Sequence, residues 1–249
     1  MECKLKDKCK RAKSCSPPCY PFAVLYGNKG DGGYWNTKNT PKKYTELLLK
    51  DLPIEKDNPD TYKVVCKYVR NVLKYVREQS TGLYLFSIPN ANNRLGTGTG
   101  KTTTACIILN EYLLARVVDM LQKRELVDNI AYFVRLSEFQ NKYNEQFRGS
   151  VDTQHMASDK YYAMKKRMKD AELLAIDDIA IRDCTEAFKN EIYDIVDYRA
   201  NEELTTIFTS NIPLSGLAEI LGERTASRIE GMTIPAGFRG VDHRKRGLV

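Results

Sequence analysis

A chain of 249 residues in which 42% of side chains are hydrophobic can bury one large core with a small appendage, and is too apolar for a disordered polymer. It contains no run of about 18 apolar residues, and Met1-Glu2-Cys3-Lys4 carries no apolar signal region, so a cytoplasmic protein without a membrane span is expected. A formal net charge of +7 favours an anionic partner, nucleic acid being the commonest, against the plainer reading of solvated lysine-rich helix faces.

The first twenty residues are basic and hold four of the seven cysteines: Cys3, Cys9, Cys15 and Cys19. Four thiolates suffice for one closed tetrahedral Zn²⁺ site, which would order a segment too small to fold unaided. Their spacing is wider than paired CxxC knuckles and unlike the common ferredoxin patterns, so free thiols are the alternative. A disulfide framework is not expected in the cytosol, and Cys66, Cys106 and Cys184 read as packing residues. Residues 27–60, rich in Gly, Asn and Pro, read as a connector with a short helical stretch from Tyr44 to Lys50. The chain is therefore divided into a cysteine-rich segment with its linker, 1–60, and a main domain, 61–249.

Asp60 is the expected N-cap of a helix whose apolar residues, from Val64 to Val76, recur at helical spacing, and Gly82 ends it. A strand at 83–88, a glycine-rich loop and a helix from Thr103 follow, then a strand at 130–135 and a helix capped by Ser137. A basic helix over 157–170, a strand at 173–176, a helix at 186–199 and a strand at 204–209 complete the pattern. Strands alternating with helices imply an α/β fold: a parallel sheet with helices on both faces and its ligand at the carboxyl ends of the strands.

The loop Gly96-Thr97-Gly98-Thr99-Gly100-Lys101-Thr102-Thr103 stands between strand and helix, the context a phosphate cradle requires. Glycines let backbone N–H groups converge on an anion, and the helix turns its positive end toward it. Lys101 would reach the β- and γ-phosphates of ATP and Thr102 would ligate Mg²⁺. The full pattern wants a glycine where this chain has Leu95, and Gly96 is expected to take over that turn.

Leu173-Leu174-Ala175-Ile176-Asp177-Asp178 is an apolar strand ending in two acids. Asp177 would hold Mg²⁺ beside the loop, and Asp178 would orient or deprotonate the attacking water; a plain acidic turn is the alternative. Asn211, at the end of the next apolar strand, either hydrogen-bonds the γ-phosphate or lytic water or merely turns the chain before Ile212-Pro213.

These motifs, with Leu221-Gly222-Glu223-Arg224 and Arg228, resemble the AAA+ helicase loaders of the DnaC and DnaI type over about residues 82–246. The resemblance implies a P-loop AAA+ ATPase core that assembles as a homo-oligomer with ATP around single-stranded DNA and loads a DnaB-type replicative helicase. It makes Arg224 an arginine finger entering a neighbouring subunit's site, the alternative being a surface ion pair with Glu223 or Glu219. It makes Arg244 the sensor of the γ-phosphate within the subunit, with Arg246 a second choice and a plain basic tail the alternative. Tyr143 to Gly149 resembles a segment lining the DNA path, so Phe147 would stack on a base and Arg148 would meet a phosphate, unless Phe147 is core; Lys165, Lys166 and Arg167 are further DNA candidates. The family's second acid is commonly Glu, and the shorter Asp178 would slow hydrolysis. Some DnaI-like relatives carry a zinc-binding N-terminal region, similar in position to the cysteine segment. Two other readings share parts of this pattern: a transposase-helper ATPase of the IstB type, and a zinc-dependent DNA-binding adaptor with a structural ATP site.

Overall fold

The computed structural model describes residues 3–6, 9, 19–91, 93–94, 96–125, 127–181 and 184–242. Five strands, β1 (Gly82–Ser87), β2 (Ala131–Arg135), β3 (Leu173–Asp177), β4 (Thr205–Ser210) and β5 (Thr233–Phe238), form one sheet in the order β2-β3-β4-β1-β5. Every neighbouring pair is parallel. Runs such as Leu83 to Phe86 and Leu173 to Ile176 are apolar almost throughout because both faces of the sheet are covered.

Alternate residues of each strand serve opposite faces. Leu83, Leu85, Phe133, Ala175 and Ile207 join one hydrophobic cluster, which is built on α5 (Lys101–Lys123), α3 (Pro59–Arg70) and α4 (Val72–Arg77). Tyr84, Val134, Ile176 and Phe208 join the other, with α6 (Leu136–Glu145), α7 (Val151–Asp170), α8 (Glu186–Asn201), α9 (Leu217–Leu221) and α10 (Glu223–Gly231).

The first cluster extends across residue 60. Leu25 and Tyr26 of α1 (Tyr20–Tyr26), Trp35 of α2 (Gly33–Thr37), Leu52 and Ile54 are all buried in it. Of the residues expected to form a connector, 27–60, Trp35, Leu52 and Ile54 thus contribute core side chains, and the same stretch covers an edge of the sheet. Phe133 N donates to Lys38 O at 2.8 Å and Asn39 Nδ2 donates to Phe133 O at 3.0 Å, which satisfies backbone groups that β2 would otherwise present to water.

Several boundaries differ from the sequence expectation. The first long helix begins at Pro59, whose missing N–H costs nothing there, so Asp60 lies inside it and is not its cap. Asn58 instead ties the helix start to the end of β5, accepting from Arg239 N at 2.6 Å and donating to Arg239 O at 2.9 Å. The helix also breaks at Asn71. α6 follows β2 without a side-chain cap, and Ser137 lies within it. α7 starts six residues before the expected 157, capped by Ser150. Its first buried position is Ala157, so its solvated first turns carry no apolar rhythm.

Candidate nucleotide site

β1 delivers the chain to the glycine loop and α5 leads away from it. Gly96, Gly98 and Gly100 all adopt positive φ, at 60°, 66° and 98°. Gly96 has a second constraint: a Cβ there would lie 2.3 Å from that of Ser87, so the loop folds directly over the last residue of β1. Leu95 lies outside the described residues. Asn93 pins the far side of the loop, accepting from Thr97 N at 3.2 Å and donating to Thr97 O at 2.8 Å and Gly240 O at 3.1 Å. Asp242 accepts from Thr97 Oγ1 at 3.0 Å. The loop is therefore braced against the chain leaving β5, a partnership nothing local in the sequence reveals.

Lys101 opens α5 and is buried, 6% exposed. Its ammonium donates to Ser87 Oγ, to Gly96 O at 3.1 Å and to Asn211 Oδ1 at 3.1 Å. Ser87 itself donates to Gly96 O. The cation is thus held at the loop by oxygens that a triphosphate can replace or supplement. Thr102, one residue on, donates to Asp177 Oδ1 at 2.8 Å.

The acid pair has divided environments. Asp177 ends β3 and is 3% exposed; burial first and the neighbouring Asp178 carboxylate second push its pKa up, while hydrogen bonds from Thr209 and Thr102 oppose the shift. Arg135 Nε stands 3.9 Å from its outer oxygen. A carboxylate and a threonine hydroxyl side by side form the hard oxygen set that suits Mg²⁺. Asp178 is exposed and has a φ of 56°, in the left-handed region.

Strand order explains how these groups meet. β4 lies between β3 and β1, so Asn211, just past β4, stands between the acids and the loop. Asp178 and Asn211 join Thr97 to Thr103 around one cleft of about 290 Å³. Lys43, Tyr44, Pro53 and Ile54 form its remaining wall, so the amino-terminal segment contributes to the nucleotide cleft. The sequence offered no sign of that wall, because contacts reaching from residue 44 to residue 100 leave no periodic trace. Ser87 and Thr209, hydroxyls at the tips of apolar strands, could have been noticed.

The remaining candidates are dispersed. Arg224 is exposed in the first turn of α10 and lines a different cleft of about 810 Å³, with Arg228, Gln79 and Glu203. Among the described residues it forms no ion pair with Glu223 or Glu219, whereas Arg228 pairs with Asp197 at 3.0 Å. No arginine lines the 290 Å³ cleft among the described residues, and Arg244 and Arg246 lie outside them. Phe147 is 66% exposed beside the exposed Arg148, which removes the core reading for it. Lys165, by contrast, pairs with Glu191 at 2.6 Å and Asp194 at 2.8 Å, and Lys166 pairs with Asp170. Arg167 lies 4.1 Å from the centre of the Tyr132 ring. Of the expected basic face, Lys165 is therefore committed within the chain, while Lys166 keeps its side chain 78% exposed.

Cys3 and Cys19 pack against the first hydrophobic cluster, and Cys15 lies outside the described residues. Among the described residues no three potential ligands of the His, Cys, Asp or Glu kind gather as a metal would need. Among the described residues, then, nothing supports the expected zinc site. No described helix is long and apolar enough to cross a membrane.

No protein-family model and no curated protein matches the sequence. Solved structures do. The chain superposes on the DnaC helicase loader with a TM-score of 0.56 at 20% identity, over 80% of this chain and 100% of that one. It superposes on DnaI with a TM-score of 0.57 at 20% identity, over 82% and 96%. The chain shares the fold of these proteins. A replication initiator DnaA bound to AMPPCP and single-stranded DNA shares it at a TM-score of 0.54 and 19% identity, over 81% of this chain and 51% of that one. In this fold the glycine loop, the two acids and Asn211 occupy the carboxyl edge of the sheet, where open α/β folds bind ligands.

Proposed function

We propose that this chain is a cytoplasmic, ATP-dependent loader that places a DnaB-type replicative helicase on single-stranded DNA. The observation that carries the ATPase part is the convergence of Lys101, Thr102, Asp178 and Asn211 on one cleft, with the buried Asp177 hydrogen-bonded to Thr102 and Lys101 bonded to the tips of β1 and β4. The structural likeness to DnaC and DnaI over nearly their whole length supports the loader part.

In the reading advanced here, the backbone of Gly96 to Gly100 cradles the β-phosphate and Lys101 moves from Gly96 O to the γ-phosphate oxygens. Thr102 and Asp177 would hold Mg²⁺, which supplies charge neutralisation between the β- and γ-phosphates. Asp178 orients the attacking water and accepts its proton, and Asn211 hydrogen-bonds the γ-phosphate or that water. Arg244 senses the γ-phosphate from its own chain, while Arg224 enters the site of a neighbouring copy in a homo-oligomer. Phe147 stacks on a base and Arg148 meets the adjacent phosphate, so DNA passes the α6–α7 turn.

The test is loading itself. A purified DnaB-type helicase from the same host should unwind a substrate carried on protein-coated circular single strands only when this chain and ATP are both present. Phe147→Ala with Arg148→Ala should weaken single-strand binding about tenfold or more and lower loading in parallel. Helicase activity that is indifferent to the chain sinks the loader reading and leaves the ATPase reading standing.

Zinc is retained as a proposal on the spacing of Cys3, Cys9, Cys15 and Cys19 alone. It requires about one zinc per chain in metal analysis of the purified protein, lost on Cys9→Ser. Metal-free protein that still supports loading ends it.

A further inference from the structure

Thr209 belongs to none of the expected site residues, yet it joins the two acids. It lies in β4, fully buried, two residues before Asn211. Its hydroxyl donates to Asp177 Oδ1 at 2.7 Å and accepts from Asp178 N at 2.9 Å. Its carbonyl accepts from Ile179 N at 2.9 Å. One residue thus fastens Asp177 by its side chain and grips Asp178 through the peptide groups on either side.

This grip addresses a difficulty at the site. Asp178 has a φ of 56°, a left-handed conformation that residues with a Cβ seldom adopt outside specific restraints. The two hydrogen bonds to Thr209 bracket that turn and hold the exposed carboxylate toward the cleft. Asp177 has a different need: the oxygen that accepts from Thr209 also accepts from Thr102, so Thr209 fixes the carboxylate's rotation against α5. A metal-binding carboxylate oriented by a second hydroxyl is the usual means of tuning such a ligand.

We infer that Thr209 is the positioning residue of the nucleotide site, setting the rotation of the magnesium-binding Asp177 and the backbone turn that presents Asp178. The inference rests on the ATPase reading above and goes beyond it by naming a residue that touches neither nucleotide nor water. Serine would preserve both functions of the hydroxyl. Valine, nearly equal in shape, would preserve neither and would leave Asp178 N without its partner.

The experiment is a magnesium titration of binding of a fluorescent ATP analogue to wild type, Thr209→Val and Thr209→Ser. Phosphate release and melting profiles are recorded alongside. Thr209→Val should bind the analogue like wild type in chelator, yet its magnesium midpoint should rise and its turnover fall by about 10- to 100-fold each. Thr209→Ser should restore both. If valine unfolds the chain, Thr209→Cys, close to serine in volume but a weak donor, replaces it and should show the same two shifts. A valine or cysteine variant with a wild-type magnesium midpoint and turnover overturns the positioning role alone. Wild-type protein that binds no nucleotide overturns the ATPase reading, and this inference with it.

Discussion

Lys101→Ala should abolish measurable ATP turnover and weaken triphosphate binding. Lys101 is the one cation that α5 brings into the loop, and its ammonium already reaches three tips of the site, at Ser87, Gly96 and Asn211. A charge-assisted hydrogen bond contributes roughly 1.5–3 kcal/mol, which corresponds to a loss of about 10- to 100-fold in affinity. The effect on turnover is larger, because charge on the phosphoryl oxygens grows toward the transition state; removing one such donor costs about 10²–10³-fold. Equilibrium binding of a fluorescent ATP analogue and a phosphate-release assay measure the two effects separately. Lys101 is also packed against Ser87, so a melting profile must show that the variant is folded. A folded variant with wild-type turnover would remove Lys101, and the phosphate-loop reading with it, from the chemistry.

That this lysine could be found from the sequence reflects how local its signals are. Strand, glycines, lysine and helix follow one another within about twenty residues, so burial, backbone freedom and charge all register in one window. Leu173 to Asp178 is legible for the same reason: an apolar run fully buried on both faces and ended abruptly by two acids. Strand β5 was not legible. Thr233-Ile234-Pro235-Ala236-Gly237-Phe238 contains a proline and a glycine and has partly exposed residues, which removes the apolar rhythm. Pro235 is tolerated because β5, among the described residues, is an edge strand pairing with β1 alone, and the lack of one N–H matters little there.

The amino-terminal segment failed to declare itself for a different reason. Its glycines resemble those of a flexible linker, but Gly33 has a φ of 65° and a Cβ there would sit 2.5 Å from Leu25 O. Glycine is present because α2 crosses close over α1, a packing role indistinguishable by composition from looseness. Ile54 finds its partner at Gly100 of the glycine loop, far along the chain, Trp35 meets Tyr26, Lys38 and Glu46 within its own segment, and short helical turns set no repeat that a window could detect. The part of the site that depends on this segment, the wall formed by Tyr44, Pro53 and Ile54, was invisible with it.

Arg224→Ala should leave ATP binding unchanged and lower DNA-stimulated turnover by about 10³-fold, the range in which arginine fingers act. Arg224 is exposed and unpaired among the described residues and does not line its own chain's nucleotide cleft, so the role proposed for it is one in trans. Action in trans has a signature that a structural role lacks. Lys101→Ala disables a chain's own loop but leaves its arginine available, whereas Arg224→Ala does the reverse. Mixing the two inactive variants should therefore restore a measurable fraction of wild-type hydrolysis at the junctions where an intact loop faces an intact arginine. Specific activity of the wild type should also rise with protein concentration as copies assemble. Mixed variants that stay inactive, together with a wild type whose specific activity does not depend on concentration, would place the missing cation on the chain that holds the nucleotide and remove Arg224 from catalysis.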